Sequence, residues 1–470
     1  MHLARQAAVA IAITLATHAS ATADPPAAPP AQIALAHAIY KQLVELDTSA
    51  SAGDSAKAAH AAADRLIAAG FPKSDVSVFE PKPKRGNLVA RLHGTGKQKP
   101  ILLVAHIDVV EAKREDWTTD PFKLVEKDGY FYGRGTSDDK FMAAAWLANM
   151  IRWKQEGFRP DRDLVLVLET DEEIGAASQN GMTWLLANHK DMLDAAFALN
   201  EGGGVAIKDT KPAWNSVQTA EKVFQSFSLE VRNPGGHSSL PTKDNAIYRL
   251  AHALEKLEKL EFPVELNATT RAYFAKMATL EHGQLAADMK AVLAPRPDRG
   301  AIARLSALPP YNAQLRTTCV ATMLAGGHAE NALPQLARAT INCRLLPGDK
   351  VDDIAATLAK TIDDPKVAIA PLDRDVASDP SPLDATLLAA IEQLTPTFWP
   401  GIPVVPTMSS GATDGRFLRN AGIPTYGHSG LAADIFDFRA HGKDERVAIK
   451  SFDDGVEYLY ELVKLLAPAS

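Results

Sequence analysis

Residues 163–170, Asp-Leu-Val-Leu-Val-Leu-Glu-Thr, are apolar at nearly every position, too continuous for a strand with one face in water. They read as a strand buried on both faces, as in a parallel sheet covered by helices. The run leads straight into Asp171-Glu172-Glu173-Ile174-Gly175. Adjacent carboxylates at the end of a buried strand repel one another and need a nearby cation or a retained proton. Taken alone, they also suit the acidic entry to a helix, expected over 178–189, where the helix dipole favours negative charge. The surrounding pattern has to decide between the two.

That pattern is α/β. Strands are expected at 76–79, 87–92, 101–106 and 195–200, and a hairpin at 122–132 turning at Asp128-Gly129. Helical spacing covers 32–46, 56–69 and 138–155, so strands alternate with helices around a largely parallel sheet. A chain of 470 residues exceeds one ordinary core. After about residue 219 the texture changes. Strand 223–231, helix 244–260, strands 315–324 and 337–345, helix 352–362 and strand 367–370 follow the β-α-β-β-α-β order of a ferredoxin-like α+β unit. A mostly helical insertion, 267–316, is broken by Pro295, Pro297, Pro309 and Pro310. From 377 the α/β texture returns, with helices at 383–394, 414–420 and 452–466 and a strand at 404–407. The expected organisation is an α/β domain in two parts, 32–219 and 377–470, interrupted by an inserted lid, 220–376.

The net charge of −7 argues against a nucleic-acid partner. Beyond the N-terminus no run approaches the roughly 20 apolar residues of a membrane span. Arg5, the short apolar run 7–16 and Ala21-Thr22-Ala23 make a signal peptide over 1–23, implying a secreted or periplasmic protein. Cys319 and Cys343 are the only cysteines. Export permits a bridge between their two strand-like runs, and two buried thiols remain equally open.

Polar residues gather where the buried strands end. His106-Ile-Asp108 closes one strand, and Gly133-Arg-Gly-Thr-Ser-Asp-Asp-Lys140 opens the long helix. Glu172-Glu173 closes the next strand, and Asn200-Glu201 the one after. Ligands of open α/β sheets bind at the carboxyl ends of strands, so these segments converge on one crevice. Histidine with carboxylates and no cysteine suits zinc or another divalent metal taking N and O donors. Asp108, two residues from His106, is placed to act on its imidazole from behind.

His-x-Asp-Val-Val, Gly-Arg-Gly-x-x-Asp-Asp-Lys, Asp-Glu-Glu-x-Gly, Asn-Glu-Gly-Gly and a late His-Gly-x-x-Glu-Arg resemble, in this order, the motifs of one family. It is the dinuclear-zinc exopeptidase and deacylase family of aminoacylase, glutamate carboxypeptidase, carnosinase, carboxypeptidase S and succinyl-diaminopimelate desuccinylase. The resemblance runs from about residue 35 to the end. It implies a zinc-exopeptidase-like catalytic domain with a ferredoxin-like lid that also serves dimerisation. It further implies two Zn2+ per subunit, with Co2+ or Mn2+ as substitutes. His106, Asp138 and Glu201 would hold one metal, and Asp138 would bridge to a second held by Glu173 and His441. Glu172 would be the general base. His428 competes with His441 as the late ligand, and the His-Gly-Lys-Asp-Glu-Arg context favours His441.

The resemblance extends to the substrate. His237 in Pro-Gly-Gly-His-Ser-Ser matches the lid histidine that, in dimeric relatives, reaches the partner's site and stabilises the oxyanion. Arg344 matches the residue pairing with the substrate's terminal carboxylate, for which a guanidinium fork is suited. Asn331 is a candidate for the oxyanion or substrate amide, or a turn cap. Gly411 and Thr413 lie in a Gly-rich loop matching one that lines the carboxylate side, and Thr413 or Asp414 also suits a helix cap. Phe141 replaces the usual Gly after Asp-Asp-Lys, and Glu111 a common Pro, which puts pocket shape in question. The implied activity is hydrolysis of a terminal amide bond in a small peptide, by a carboxypeptidase or dipeptidase. The alternatives are an N-acyl-amino-acid amidohydrolase and a catalytically silent binding protein on the same fold.

Overall fold

The computed structural model describes residues 26–174, 178–372 and 376–469. The signal-peptide reading of 1–23 falls outside them. No described helix is long and apolar enough to cross a membrane.

The main strands, in chain order, are β1 (Val76–Lys82), β2 (Arg85–Leu92), β3 (Gln98–His106), β4 (Arg162–Glu169), β5 (Phe197–Lys208) and β6 (Lys211–Glu221). Then come β7 (Val223–Arg232), β8 (Thr318–Gly326), β9 (Leu336–Leu345), β10 (Val367–Pro371), β11 (Val404–Ser409) and β12 (Thr425–Asp434). Eight form one sheet in the order β1-β2-β4-β3-β5-β12-β6-β11. Its centre is parallel, β4 with β3 and β3 with β5.

β4 is buried on both faces, as its composition requires. Leu164, Leu166 and Leu168 face one core, with the helices Pro30–Val44, Lys140–Gln155 and Ile449–Leu466. Val165 and Val167 face the other, with Met182, Leu185, Phe417 and Leu418. Alternate residues of a strand point to opposite sides, so an unbroken apolar run serves a sheet between two helical layers. Phe141 belongs to the first core: it is fully buried, edge-on to Phe452 at 5.5 Å. It fills space left by Gly455, where an added Cβ would meet its ring at 2.8 Å. The departure at this position therefore changes the core rather than the crevice.

β7 to β10 form a second, antiparallel sheet in the order β8-β9-β7-β10. The helices Ala246–Glu258 and Val351–Ile362 bury Leu250, Ala253, Ile354 and Leu358 against it in a separate core. The chain order through this unit is the ferredoxin-like one read from the sequence. The insertion forms four helices, Ala268–Leu280, Gly283–Ala291, Arg299–Ser306 and Pro309–Leu315. It leaves the small sheet and packs on the large one. Phe274, Met277 and Leu315 share a core with Val405 of β11, and the Gln314 amide donates to the Met408 carbonyl at 2.8 Å. β11 is an edge strand, and the insertion covers it.

Several boundaries differ from the sequence reading. The strand expected at 195–200 runs on to Lys208 and returns through a hairpin, β6, that went unread. Gly202-Gly203-Gly204 lies inside β5. A Cβ at Gly203 would sit 2.4 Å from the Ser216 carbonyl oxygen, and one at Gly202 2.5 Å from the Gln218 side chain. Close backbone approach, not a turn, calls for those glycines. The strand expected at 315–324 begins at Thr318, because Leu315 ends a helix packed into the insertion's core. The helix after the acidic cluster starts at Gly181, capped by the Asn180 side chain accepting from the Thr183 N–H, rather than at 178. The long helix starts at Lys140, not Asp138. Cys319 and Cys343 face each other across β8 and β9 and are joined by a disulfide.

Candidate metal centre and active site

The carboxyl ends of β3 and β4 and the interior of β5 bring His106, the acidic turn and Glu201 to one place. Asp138 enters from the loop before the long helix, and His441 from the loop after β12. Two groups of potential ligand atoms result: His106, Asp138 and Glu201; and Asp138, Glu173 and His441. Asp138 is common to both. One of its oxygens lies 3.0 Å from His106 Nε2 and the other 3.2 Å from His441 Nε2. Glu173 Oε1 is 3.0 Å from His441 Nε2, and Glu201 Oε2 is 3.8 Å from His106 Nε2. A carboxylate turned towards two separate imidazoles, each with its own second carboxylate, has the form of a bridging ligand between two cations.

The donor chemistry fits such cations. All donors are imidazole nitrogen or carboxylate oxygen, as zinc and similar divalent metals accept, and both cysteines are tied up in the disulfide. Charge points the same way. Burial, then repulsion from Asp414, Glu173 and Asp108, pushes the Glu172 carboxyl well up despite His106. Burial likewise raises Glu201, with Glu172, Asp138 and Asp139 repelling it. Burial works against ionised Asp138 too, but hydrogen bonds to His106 and His441 hold it well below the usual range. Those to Asp138 and Glu173 raise His441 to about 10.

The surrounding shell fixes the donors. His106 Nδ1 meets the Asp108 backbone carbonyl at 3.1 Å, while the Asp108 carboxylate stands farther, at 3.6 Å. That carboxylate instead accepts from the Glu172 and Glu173 backbone N–H groups at 3.2 and 3.1 Å. Asp108 therefore pins the acidic turn as well as facing the imidazole. Asp171, at a positive φ of 64°, pairs with Arg85 Nε at 3.2 Å. Asp171 and Glu173 thus turn to different partners, Arg85 and His441.

Glu445 escaped the sequence reading of function, although it lies in the late motif. It is fully buried and accepts from Arg134 Nη1, the backbone N–H groups of Gly135, Ser137 and Asp138, and the Ser137 hydroxyl. Four of these contacts lie at 2.7–3.0 Å and that to Asp138 at 3.2 Å. One carboxylate thereby shapes the whole Asp138 loop. The signal was a charged residue four positions after His441, but its partners lie more than 300 residues away in sequence.

His428, the competing late histidine, is fully buried and outside both groups. Its Nδ1 donates to the Ser216 carbonyl at 2.9 Å, and its Nε2 accepts from the Tyr458 hydroxyl at 2.8 Å. The remaining candidates belong to neither metal group. His237 is exposed on a short ribbon, Gly236–His237 with Ala332–Leu333, which puts it beside Asn331; the Ser238 N–H donates to the Asn331 carbonyl at 3.0 Å. Arg344, on β9, lies over the Phe224 ring at 4.7 Å and donates to the Ser410 carbonyl at 3.3 Å, so it spans from the small sheet to the Gly-rich loop. The Gly411 N–H turns inward to the Ser409 hydroxyl. The Thr413 hydroxyl donates to Glu221 at 2.7 Å and accepts from the Gly415 N–H at 3.1 Å. Glu111 holds the turn at Ser51 through its backbone N–H and hydroxyl.

Known proteins are similar to this chain in sequence and in fold. A model of peptidase family M20/M25/M40 matches residues 102–465. The chain is 31% identical over 380 residues to the probable carboxypeptidase S-like 2 of Dictyostelium discoideum, covering 78% of this chain and 71% of that one. It is 30% identical over 378 residues to the N-fatty-acyl-amino acid synthase/hydrolase PM20D1 of Homo sapiens, covering 78% and 74%. The M20 family metallo-carboxypeptidase Sso-CP2 from Sulfolobus solfataricus has the same fold, with a TM-score of 0.70 at 18% identity over 92% of this chain and 98% of that one.

Proposed function

The chain belongs to peptidase family M20/M25/M40, and from that premise we propose that it is a two-zinc hydrolase cleaving the terminal amide bond of a small peptide to release an amino acid. That it hydrolyses peptide or amide C–N bonds follows from the family. The observation carrying the rest is Asp138, with one carboxylate oxygen towards His106 and the other towards His441. His106, Asp138 and Glu201 hold one zinc, and Asp138, Glu173 and His441 the other; Co2+ or Mn2+ can substitute. When bound, the pair polarises the scissile carbonyl and lowers the pKa of the attacking water to about 7.

Glu172 does the proton work. It is half-buried, held by its backbone N–H on Asp108, and its carboxylate is not a member of either ligand group. It accepts the proton of the attacking water and delivers it to the leaving nitrogen. Arg344 pairs with the free carboxylate of the amino-acid part, beside the Gly411–Thr413 loop, while His237 and Asn331 stabilise the oxyanion as the lid, residues 220–376, closes. The exposed apolar edge of β8, with Val320, Met323 and Leu324, joins a second copy in a homodimer. The signal peptide sends the chain out of the cytoplasm, where its disulfide persists.

A second reading, an N-acyl-amino-acid hydrolase, is favoured by the 30% identity to the human N-fatty-acyl-amino acid synthase/hydrolase. A panel of dipeptides, N-acyl amino acids and the matching esters separates the two. Glu172→Gln is expected to lower amide hydrolysis by about 10²–10⁴-fold with metal content unchanged. Full activity in that variant refutes the assignment of the base.

A further inference from the structure

Between β12 and His441 the chain makes a loop whose charged groups are held by hydrogen bonds and ion pairs. The Asp434 carboxylate accepts from the Phe436 N–H at 2.8 Å, and its carbonyl from the Asp437 N–H at 3.1 Å. The Asp437 carboxylate accepts from Arg439 Nε at 2.6 Å and from Arg446 Nε and Nη2 at 3.0 and 2.6 Å. The Gly442 N–H closes on the Arg439 carbonyl at 2.9 Å, and His441 takes a positive φ of 63° that turns its ring towards Asp138 and Glu173. The loop is braced at both ends and in the middle.

What it holds outward is apolar. Phe436 and Phe438 are 79% and 82% exposed, the two most exposed large hydrophobic side chains among the described residues, and Ile435 beside them is 39% exposed. Single exposed apolar residues call for no explanation, but a fixed aromatic pair without neighbours to pack on does. Their position limits the occupant. Phe438 is three residues from His441, so their Cα atoms are within about 11 Å, and Phe436 is within about 18 Å. Other exposed large apolar side chains, among them Val320, Met323 and Leu324 on β8 and Leu240 and Tyr248, lie in the small-sheet unit. The pair therefore stands on the same braced loop as His441, whose ring faces Asp138 and Glu173, and in a different unit from β8.

We propose that Phe436 and Phe438 form an apolar ledge at the mouth of the site that binds the hydrocarbon part of the substrate's acyl group. The proposal rests on the amide-hydrolase reading and deepens its second form: the substrate is an N-acyl amino acid with a medium or long straight acyl chain. The carboxylate of the amino-acid part is held towards Arg344, the amide lies at the metal site, and the acyl chain leaves over the two rings beside His441. No new bond chemistry is involved. The ledge acts through binding and sets which substrates are cleaved fast.

The test uses the full mature chain loaded with zinc and a series of N-acyl amino acids differing only in acyl length, from acetyl to dodecanoyl. The wild-type enzyme is expected to gain up to about fourfold in kcat/KM per added methylene over part of the series. In the double variant Phe436→Ser/Phe438→Ser that slope falls, chiefly through KM, because uniform binding is lost. Zinc content and melting temperature, measured alongside, verify that the variant is folded. A flat slope in an active wild-type enzyme overturns the ledge, as does a double variant that keeps the wild-type slope. Co-sedimentation with phosphatidylglycerol vesicles is the second arm: phenylalanine-dependent vesicle binding with an unchanged slope assigns the rings to a lipid surface and overturns the proposal. Absence of hydrolysis across the whole series by a zinc-loaded enzyme that still cleaves dipeptides overturns the N-acyl reading and the ledge while leaving the peptide-hydrolase reading standing; inactivity on both substrate classes counts against the hydrolase reading itself.

Discussion

Glu445→Ala is the perturbation whose cost the structure makes largest relative to its distance from the chemistry. The side chain is fully buried and accepts five hydrogen bonds, one from a guanidinium that is itself 3% exposed. Removing one partner of a buried ion pair leaves the other charge without compensation, at a cost of about 3–5 kcal/mol. Arg134 keeps only its Gly442 carbonyl contact and the Trp117 ring, and the N–H groups of Gly135, Ser137 and Asp138 lose their acceptor. Those losses overlap with the first and do not add to it in full. The expected destabilisation is about 4 kcal/mol, read as a shift in the urea midpoint of metal-free protein. Because Glu445 positions the backbone of Asp138, zinc affinity measured by competition with a chromophoric chelator should fall by about 10–100-fold. A variant losing under about 1 kcal/mol, with unchanged zinc affinity, refutes the claim that this carboxylate shapes the metal loop.

Two further outcomes follow from groups away from the metals. Burial pushes His428 down to about 4, so the native imidazole stays neutral while the unfolded one protonates below about 6.5. Stability should therefore fall as pH drops from about 6.5 to about 4, by about 3 kcal/mol, and level off below. His428→Gln should remove much of that acid slope in urea titrations at pH 7 and pH 4, and an unchanged slope contradicts the reasoning. The Cys319–Cys343 bridge closes a loop with a sequence separation of 24, worth about 3 kcal/mol in the chain-entropy model. Cys319→Ser/Cys343→Ser should lower the melting temperature with zinc content unchanged; an unaltered midpoint argues that the bridge adds nothing.

The sequence made the site legible because parts of it end recognisable elements. An uninterrupted apolar run announces a buried strand, and polar residues at its end can be located without coordinates, as with His106 and Glu173. What stayed hidden depended on neighbours distant in sequence. Nothing in Gly202-Gly203-Gly204 itself shows the Ser216 carbonyl and Gln218 side chain against it, so the hairpin through Lys208 and Lys211 was missed. Whether Cys319 and Cys343 pair depends on strand register, which composition leaves open. His428 and His441 are both late histidines; the motif context favoured His441, and packing adds the reason, with His428 sealed against Tyr458 and His441 facing Asp138. Glu445 looked like part of a motif with no task of its own, because its partners sit on the loop 134–138.

The central claim is that Asp138 is shared by two metal ions, and metal stoichiometry tests it most directly. Purified protein reconstituted with zinc and freed of excess should carry two equivalents by mass spectrometry of the metal. Glu201→Ala and His441→Ala should each weaken one site, whereas Asp138→Ala should lose both together while circular dichroism reports an intact fold. A folded Asp138→Ala protein that still binds two zinc ions with wild-type affinity contradicts the account.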